Sequence, residues 1–391
     1  KNASGGTTWT ITDSLRGIPN ETGGKITQLA PSFQYSESQF DSNEGNMEIN
    51  LHANGFTLKD NSSVWNSNNE NYIYVAIRRP DGYVGKPPEL GTGVFAMDTG
   101  NGSSDGPAFD SGFPVDMGLR RLFATGDDGT PSTDWATYVR LLGGVFLRAN
   151  TSAATQTSSR AKFDFNDGFN HTDGSTFQAW MWKRHAGFDV VTYSGLGGNR
   201  THNHSLGIIP EMIWVKCRAD TGKDWWVYHK GLNGGTNPED YYIKLNSNDG
   251  EADQVEAWND TAPTATSFTV GSNGAVNSYG DDYLALLFSS VSGISKVGSY
   301  TGNGSTGSSG PFITTGFSPR FIIVKRVDSN AGYAWNLHDT NRGIDNRLRI
   351  QTTAAQATLA ALDLSSTGFR VKTDNASYNT SSGKYVYYAH A

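Results

Sequence analysis

The sequence predicts an all-β protein made of tandem antiparallel β-sandwich modules, jelly-roll-like, in four copies with the first one N-terminally incomplete. Three observations predict it. Only 18% of the residues are charged, while 46 are glycine and 12% are aromatic. Strand patterns are frequent, and no convincing helical period appears. Similar strings also recur at intervals of about a hundred residues, which is typical of a duplicated unit.

The bulk properties exclude several classes of protein. The net charge is −7 and no basic run occurs, which argues against a nucleic-acid binder. No apolar run approaches the ~18 residues of a membrane-spanning helix. Cys217 is the only cysteine, so an intrachain disulfide is excluded; its alternating context "MIWVKCR" predicts a small residue on a strand.

The first part of the unit is a strand, a Gly-rich turn and a second strand. "ISKVGSYTGNGSTGSSGPFITTGFSPRFIIVKR" from Ile294 aligns with "FDVVTYSGLGGNRTHNHSLGIIPEMIWVKCR" from Phe188. Both second strands follow a proline and end near a lysine, Lys325 or Lys216. A third, more divergent copy starts at Val94, and its proline comes earlier. The recurrence predicts the same supersecondary structure in each copy.

The second part of the unit begins with a tryptophan nine or ten residues after that lysine. An amphipathic strand follows, and the unit closes with a strand, an Asn-rich turn and a final aromatic strand. The recurring tryptophans are Trp9, Trp135, Trp225 and Trp335, and the turns carry an apolar-Asn pair at Trp65-Asn66, Phe169-Asn170, Val276-Asn277 and Tyr378-Asn379. We expect the tryptophans to fill cores rather than to carry a reaction, because they recur.

The modules predicted in this way are module 1 (1–90), module 2 (91–184), module 3 (185–292) and module 4 (293–391). Module 1 begins at the end of its second strand, so we expect the parent polypeptide to extend further N-terminally. Continuously apolar strings such as "FIIVKR" predict central strands, and alternating ones such as "YYIKLN" predict strands with one wet face. The nearest approach to a helix is Ala354–Leu362, where we expect one or two turns.

The string "GNGSTG" after Thr301 spells the G-x-G-x-x-G pattern of a dinucleotide-binding turn. Such a turn needs a helix after it, because the phosphate binds at the helix N-terminus. Here "SSGPFITTGF" follows, which indicates a turn and a strand, and the equivalent turns of the other modules lack the motif. We therefore expect hairpin glycines with positive φ, and no cofactor.

Other candidates for chemistry are weak. His202 and His204 have the spacing of a metal pair but lack a third ligand nearby, so we expect no metal site. Asp127-Asp128 and Asp281-Asp282 could serve a glycosidase, but adjacent carboxylates are more typical of solvated turns. Asp339, Arg342 and Gly343, repeated as Asp13, Arg16 and Gly17, are expected to pair across a strand end and hold the module together. We assign no catalytic residue and expect no enzyme.

A functional site is expected where the modules differ. Loops with tryptophan or tyrosine suit stacking against a sugar ring, and the alternative is that these aromatics cover the end of a sandwich. The candidate glycan or receptor contacts are Trp65, Trp258 and Tyr241.

The strings that carry the repeat also resemble a known family. "FDVVTYSG", "HSLGIIPEMIWVK", "WVYHKGL", "WNDTAPTATSFTVGS", "VGSYTGNGS", "TGFSPRFIIVKR" and "YVYYAHA" look like the tandem modules of tail-fibre and other virion structural proteins of tailed bacteriophages, marine phages in particular. Modules 3 and 4 resemble them closely, module 1 well and module 2 weakly. The family has no established catalytic residues to transfer.

The resemblance implies a non-enzymatic, β-rich fibre or appendage on the virion surface, built as modules in series and contacting the host cell. Its partners would be other virion proteins, a host cell-surface glycan and further copies of itself, with a trimer as one oligomer; nucleic acid and membrane insertion are not implied. A capsid decoration or head-fibre protein, a lectin-like carbohydrate-binding array and a tailspike depolymerase remain as alternatives.

Overall fold

The fold is described by a computed structural model that covers residues 3, 49–52, 55–58, 66–77, 90–104, 106–123, 134–158, 162–170, 172–328 and 332–391. Within module 1 these residues include one antiparallel hairpin, formed by β1 (Ile49–His52) and β2 (Gly55–Leu58). Modules 2 to 4 are described over most of their length, and the predicted all-β class is confirmed there.

Module 2 forms a six-stranded antiparallel sheet and a separate strand pair. The sheet order is β3-β10-β5-β6-β7-β8, and β4 pairs with β9. The strands of its described part are β3 (Phe95–Thr99), β4 (Phe109–Asp110), β5 (Met117–Leu122), β6 (Ala136–Val139), β7 (Val145–Arg148), β8 (Gln156–Thr157), β9 (Gly168–Phe169) and β10 (Phe177–Trp182).

Module 3 repeats this arrangement with the sheet β11-β18-β13-β14-β15-β16 and the pair β12-β17. Two single α-helical turns, α1 (Val255–Trp258) and α2 (Gly274–Asn277), flank β17. The strands are β11 (Phe188–Ser194), β12 (Arg200–Asn203), β13 (Met212–Cys217), β14 (Trp226–His229), β15 (Tyr241–Lys244), β16 (Ala252–Asp253), β17 (Ser267–Val270) and β18 (Asp282–Phe288).

Module 4 has the same sheet again, in the order β19-β27-β21-β22-β23-β24, with the three-stranded sheet β20-β26-β25 beside it. Its strands are β19 (Ser295–Thr301), β20 (Phe312–Thr314), β21 (Phe321–Arg326), β22 (Asn336–Asp339), β23 (Asn346–Arg349), β24 (Ala357–Thr358), β25 (Leu362–Ser365), β26 (Gly368–Val371) and β27 (Lys384–His390). Among the described residues, 3-10 turns occupy Gly91–Gly93, Arg140–Leu142, Leu232–Gly235, Pro238–Asp240 and Gly307–Ser309.

Each six-stranded sheet buries both faces, and strand alternation divides its side chains between two cores. In β13, Met212 and Trp214 point to one core, while Ile213, Val215 and Cys217 point to the other. The second core of each module lies under its small sheet and contains residues of that module alone. This pairing of a large and a small sheet around an apolar layer confirms the β-sandwich prediction.

The first core is shared by modules 2, 3 and 4. One continuous cluster of buried side chains contains Leu119 from module 2, Leu286 from module 3 and Leu348 from module 4. Aromatic contacts cross the module boundaries inside it: the Phe95 ring lies 5.1 Å from Phe321, and Phe288 lies 5.2 Å from Tyr388. The expectation of separate beads in series is therefore wrong for these three modules, because their inner faces form one core.

Equivalent tryptophans close the three modules into a ring. The indole N–H of Trp225 donates to Arg148 O in module 2 (2.9 Å), and Trp335 donates to Lys244 O in module 3 (2.8 Å). Trp135 donates to Arg349 O in module 4 (3.1 Å) and completes the circuit. The three acceptors end equivalent strands, β7, β15 and β23, so the three contacts are related by an approximate three-fold rotation.

Buried cations repeat the same circuit. Lys216 donates to Ser152 O (3.3 Å) in module 2, Lys325 to Asn248 O (3.0 Å) in module 3, and Arg121 to Ala354 O (3.0 Å) in module 4. These side chains lie on equivalent strands of the three modules, β13, β21 and β5. Burial lowers the pKa of Lys216 and of Lys325 to about 8.

Backbone hydrogen bonds form a third equivalent set at the same interfaces. Each runs from the residue just before an edge strand, β8, β16 or β24, to the residue just after the strand that carries the neighbour's buried cation. Their donors and acceptors are Thr155 N to Arg218 O, Glu251 N to Val327 O, and Gln356 N to Phe123 O. The last bond explains a wrong prediction. The Ala354–Leu362 segment contains no helical turn, because Ala357–Thr358 forms the edge strand β24 beside β23 and Gln356 bonds to module 2.

The final aromatic strand predicted for module 1 is absent from residues 71–77, which contain only an isolated bridge at Tyr72. The strand predictions for the following segments of modules 2 to 4 are confirmed. Every residue of "FIIVKR" from Phe321 to Lys325 is buried in β21, and "YVYYAHA" supplies the central strand β27 between β19 and β21. β7 alternates between buried and partly exposed positions, and β15 and β23 each have one buried residue between more exposed ones, as their amphipathic sequences indicate. Cys217 is buried at the end of β13, as expected.

Candidate functional site

Loop tips at the ends of the sandwiches carry different exposed side chains in the three modules. A tip consists of the Gly-rich turn after the first strand together with the turn before the last strand. In module 3 these are Gly195–Gly198 and Ser278–Gly280, joined by the backbone hydrogen bond from Gly280 N to Gly195 O (3.0 Å). The same two turns meet in modules 2 and 4, so the positions can be compared one by one.

A buried polar side chain holds each tip together. Asn277 accepts a hydrogen bond from Leu196 N (2.9 Å) and donates to Gly198 O, and Asn379 accepts from Asn303 N (2.7 Å) and donates to Ser305 O (2.7 Å). These asparagines belong to the predicted apolar-Asn pairs. A buried amide that satisfies several backbone groups fixes the path of a turn.

Module 2 departs from that prediction. Asn170 is buried, but the residue that meets the Gly-rich turn is Asp173, whose carbonyl accepts from Gly102 N (2.8 Å) as that of Asn277 does from Gly197 N. Asp173 is fully buried and pairs with Arg120. A carboxylate replaces the amide here because a cation is available to neutralise it.

The Gly-rich turns have the geometry expected of hairpin glycines. Gly102, Gly197 and Gly304 are equivalent and have φ of 76°, 76° and 68°, a region that disfavours side chains. A 3-10 turn occupies Gly307–Ser309, and strand β20 follows. No α-helix follows for a phosphate, so the interpretation of "GNGSTG" as a structural turn agrees with the fold.

The tips of modules 2 and 4 carry the same two exposed polar residues. Asn101 and Asn303 follow the first glycine of the turn, and each donates to a carbonyl of its own loop, Pro107 O (3.1 Å) and Ser309 O (2.9 Å) respectively. At the facing position both modules have an exposed serine, which is Ser175 or Ser381. The fold is therefore compatible with a small polar side chain at both positions of a tip.

Module 3 has apolar groups at both positions. Leu196 replaces the asparagine and is 47% exposed, and Tyr279 replaces the serine and is 83% exposed. The Tyr279 backbone lies against Gly197, where a side chain on the glycine would meet Tyr279 Cβ at 3.5 Å. Leu196 and Tyr279 are therefore neighbours on one exposed tip, which we call the module-3 tip together with Asn199 and Asn259.

Two amide side chains are linked to each other at the end of the Gly-rich turn. Asn199, two residues after Gly197, donates from its side chain to Asn259 Oδ1, and Asn259 Nδ2 donates to Thr261 Oγ1 (3.2 Å). Asn259 has a left-handed φ of 55° and ends α1, so a helical turn fixes its place. The module-3 tip combines an exposed phenol, an exposed isobutyl group and two positioned amides.

The site residues predicted from sequence do not form this tip. Trp65 lies outside the described residues. Trp258 is only 2% exposed, and its indole donates to Tyr241 O (2.9 Å), so neither face of the indole is open to a sugar. Tyr241 is half-buried at the start of β15 and packs against the shared core. Trp258 therefore fits the alternative interpretation, in which an aromatic side chain covers the end of a sandwich.

The histidine pair expected to be structural is accounted for by packing. The His202 ring stacks on Tyr193 at 3.9 Å, and His204 Nε2 bonds to Thr264 O (3.1 Å). Among the residues that the structure describes, no three His, Cys, Asp or Glu side chains are grouped as metal ligands. No helix in that part of the chain is long and apolar enough to span a membrane.

Two of the aspartates singled out in the sequence, Asp282 and Asp339, have structural partners. Asp282 is buried and accepts from Ser194 Oγ (3.0 Å), so the expectation of a solvated turn residue is wrong for it; Asp127 and Asp128 are not described. Asp339 pairs with Arg342 (2.7 Å), as predicted, and also accepts from the Trp180 indole (3.1 Å) of module 2. The Asp13 copy of that motif lies outside the described residues.

Buried histidines lie at the seams between modules. His229 Nε2 bonds to Tyr387 O across the boundary of modules 3 and 4 (3.3 Å), and the His185 ring lies 6.5 Å from that of His390. Burial lowers the pKa of His185 to about 3 and that of His229 to about 4. These imidazoles are therefore neutral in the folded protein at pH 7.

Residues 148–391 match the model of a domain family described only as a domain of unknown function, DUF7483. The match covers more than half of the chain, from the end of β7 through module 4, and the chain therefore belongs to that family. No curated protein matches the chain.

Proposed function

We propose that this member of the DUF7483 family is a non-enzymatic structural protein of a bacteriophage virion, displayed on the particle surface with its loop tips facing outward. Its localisation would be the exterior of the particle, and its partners would be neighbouring virion proteins and the host cell surface. The proposal starts from the resemblance of its repeated strings to tail-fibre and virion proteins.

The observation that carries the proposal is the closed ring of three modules around one core. A body of this kind holds its loops on a rigid support, since each interface has a buried indole bond, a buried cation and a backbone bond. Three modules in contact give a compact head rather than an extended shaft. The geometry therefore favours the head of an appendage or a decoration protein over a long fibre.

The three-fold arrangement lies within one chain and does not require a trimer of chains. Tail-fibre trimers, which the resemblance suggested, place three chains around one axis, whereas modules 2 to 4 place three copies around an axis within one chain. A second candidate function, capsid decoration without receptor specificity, is favoured by this self-contained three-fold body. In this proposal, homo-oligomers form through a surface other than the core that modules 2 to 4 share.

The enzyme alternative, a tailspike depolymerase, has less support. Glycoside hydrolysis requires two carboxyl groups about 5–10 Å apart in an open cleft. Asp173, Asp282 and Asp339 are all buried and engaged in bonds that hold turns or interfaces. These carboxylates stabilise the fold and are not exposed to a substrate.

The experiment is to locate the chain on intact particles by electron microscopy with an antibody against module 4. Labelling at the exterior, at a tail fibre or on the capsid, supports the proposal and separates the two candidates. A chain absent from purified particles would contradict it, and cleavage of host polysaccharide by the purified protein would favour the depolymerase.

A further inference from the structure

We propose that the module-3 tip is a carbohydrate-binding site in which Tyr279 stacks on a sugar ring and Leu196, Asn199 and Asn259 complete the contact. The inference deepens the proposed function and rests on it, since a displayed tip is the part of the molecule that would meet a host glycan. The site differs from the sequence-based candidates, of which Trp258 is buried.

The molecule contains its own comparison for this site. Modules 2 and 4 fold the same two turns with Asn101 and Ser175, or with Asn303 and Ser381, and all four side chains are exposed. The fold thus requires neither a leucine nor a tyrosine there. Leu196 and Tyr279 leave apolar surface in water, which folding alone does not favour.

The exposure of the tyrosine is the second step. Tyr279 is 83% exposed, whereas the two tyrosines that flank the same tip from the core side, Tyr193 and Tyr283, are buried. Tyr283 OH accepts from Ser278 N (2.7 Å), so the residue just before Tyr279 is fixed to the core. An exposed ring on a fixed backbone loses little conformational freedom when it binds.

The chemistry of the surroundings favours a sugar over a protein partner. A sugar presents an apolar face of C–H groups and a rim of hydroxyls, so a ligand of this class needs an aromatic face and polar groups beside it. The tip offers the phenol ring together with the amides of Asn199 and Asn259. Its apolar part consists of two side chains, which is small for a protein interface that buries about 800 Å² on each partner.

The test uses the whole purified chain on a printed array of bacterial surface oligosaccharides, followed by titration calorimetry with the oligosaccharide that is retained. Leu196→Asn and Tyr279→Ser convert the tip to the residues of modules 2 and 4, so both variants are expected to fold. We expect the Tyr279→Ser variant to bind at least about tenfold more weakly, and Leu196→Asn to lose affinity as well.

Phe312→Ser is the matched control, because it removes an exposed aromatic ring (42% exposed) from module 4 and leaves the module-3 tip intact. Unchanged affinity in this control and loss in Tyr279→Ser support the site. Retention of no oligosaccharide, equal binding by wild type and Tyr279→Ser, or a tip that binds only a protein partner would each overturn it. None of these outcomes depends on where the chain lies on the particle, so a failed site and a failed virion assignment are distinguishable.

Discussion

Replacing one tryptophan of the ring should destabilise three modules together. Trp225→Phe keeps an aromatic ring in the shared core but removes the indole N–H that donates to Arg148 O at 2.9 Å. The acceptor belongs to module 2 and the donor to module 3, so the lost bond lies at a module interface.

The magnitude follows from burial. Trp225 is fully buried, so in the variant the carbonyl of Arg148 lacks this donor in the protein interior. The loss of the hydrogen bond costs about 1–3 kcal/mol of stability. The smaller ring also leaves unfilled volume in the core. We expect the free energy of unfolding to fall by about 2–4 kcal/mol in total. Trp335→Phe should give a similar loss, since its indole makes the equivalent bond to Lys244 O.

Differential scanning calorimetry combined with hydrogen exchange checks this prediction. In a closed ring, modules 2 to 4 unfold in one transition, and Trp225→Phe lowers its midpoint and accelerates amide exchange in β5 and β21 as well as in β13. Tyr279→Ser, at an exposed position, should leave the midpoint unchanged. Separate transitions for the modules, or faster exchange confined to module 3, would refute the reasoning.

Three further predictions follow from buried groups. His185, His229 and His338 have folded pKa values of about 3, 4 and 4, below the unfolded value of about 6.5, so their contribution to stability is complete above pH 6.5 and falls as the pH drops towards 4. At pH 5 each histidine lowers the free energy of unfolding by about 2 kcal/mol. Equal free energies of unfolding in urea at pH 5 and pH 7 would contradict this. Cys217 is buried, and burial raises the pKa of its thiol, so a thiol reagent should modify the native chain only as fast as it unfolds; rapid modification would show the strand end to be open. Lys325→Met should cost about 1–3 kcal/mol, because Asn248 O and Tyr333 O both lose their ammonium donor. The control in the same unfolding titration is Lys296→Met, at a half-buried position on β19.

Much of the fold could be predicted because its signals are local. The alternation in "YYIKLN" and the continuous apolar run in "FIIVKR" specify a strand with a wet face and a central strand, and both are present as β15 and β21. The Asp339–Arg342 pair is three residues apart, so its sequence spacing alone indicated it.

The ring could not be predicted in the same way, because its contacts are not local. Trp135 and Arg349 are 214 residues apart, and no sequence pattern near either residue encodes their hydrogen bond. A sequence repeat indicates that the modules share a structure. It does not distinguish separate sandwiches in series from three sandwiches that share a core. Apolar residues on both faces of each sheet are compatible with either arrangement.

The candidate site was missed for a different reason. Residue type alone cannot separate a loop tryptophan that is exposed from one that plugs a core, and Trp258 proved to be a plug. A usable signal was nevertheless present: aligned tips have Asn and Ser in two modules but Leu196 and Tyr279 in the third. The departure becomes visible once the structure places Asp173, rather than Asn170, opposite Asn277 and Asn379.

The direct test of the ring is a crosslink between modules 2 and 4, which are separated in sequence by all of module 3. Asn341 Nδ2 lies 3.3 Å from Thr99 Oγ1 across this interface, so a Thr99→Cys, Asn341→Cys variant in a Cys217→Ala background should react with a short bis-maleimide to give a crosslinked monomer in high yield. A chain that yields only intermolecular dimers, or no crosslink, would contradict a closed three-module body.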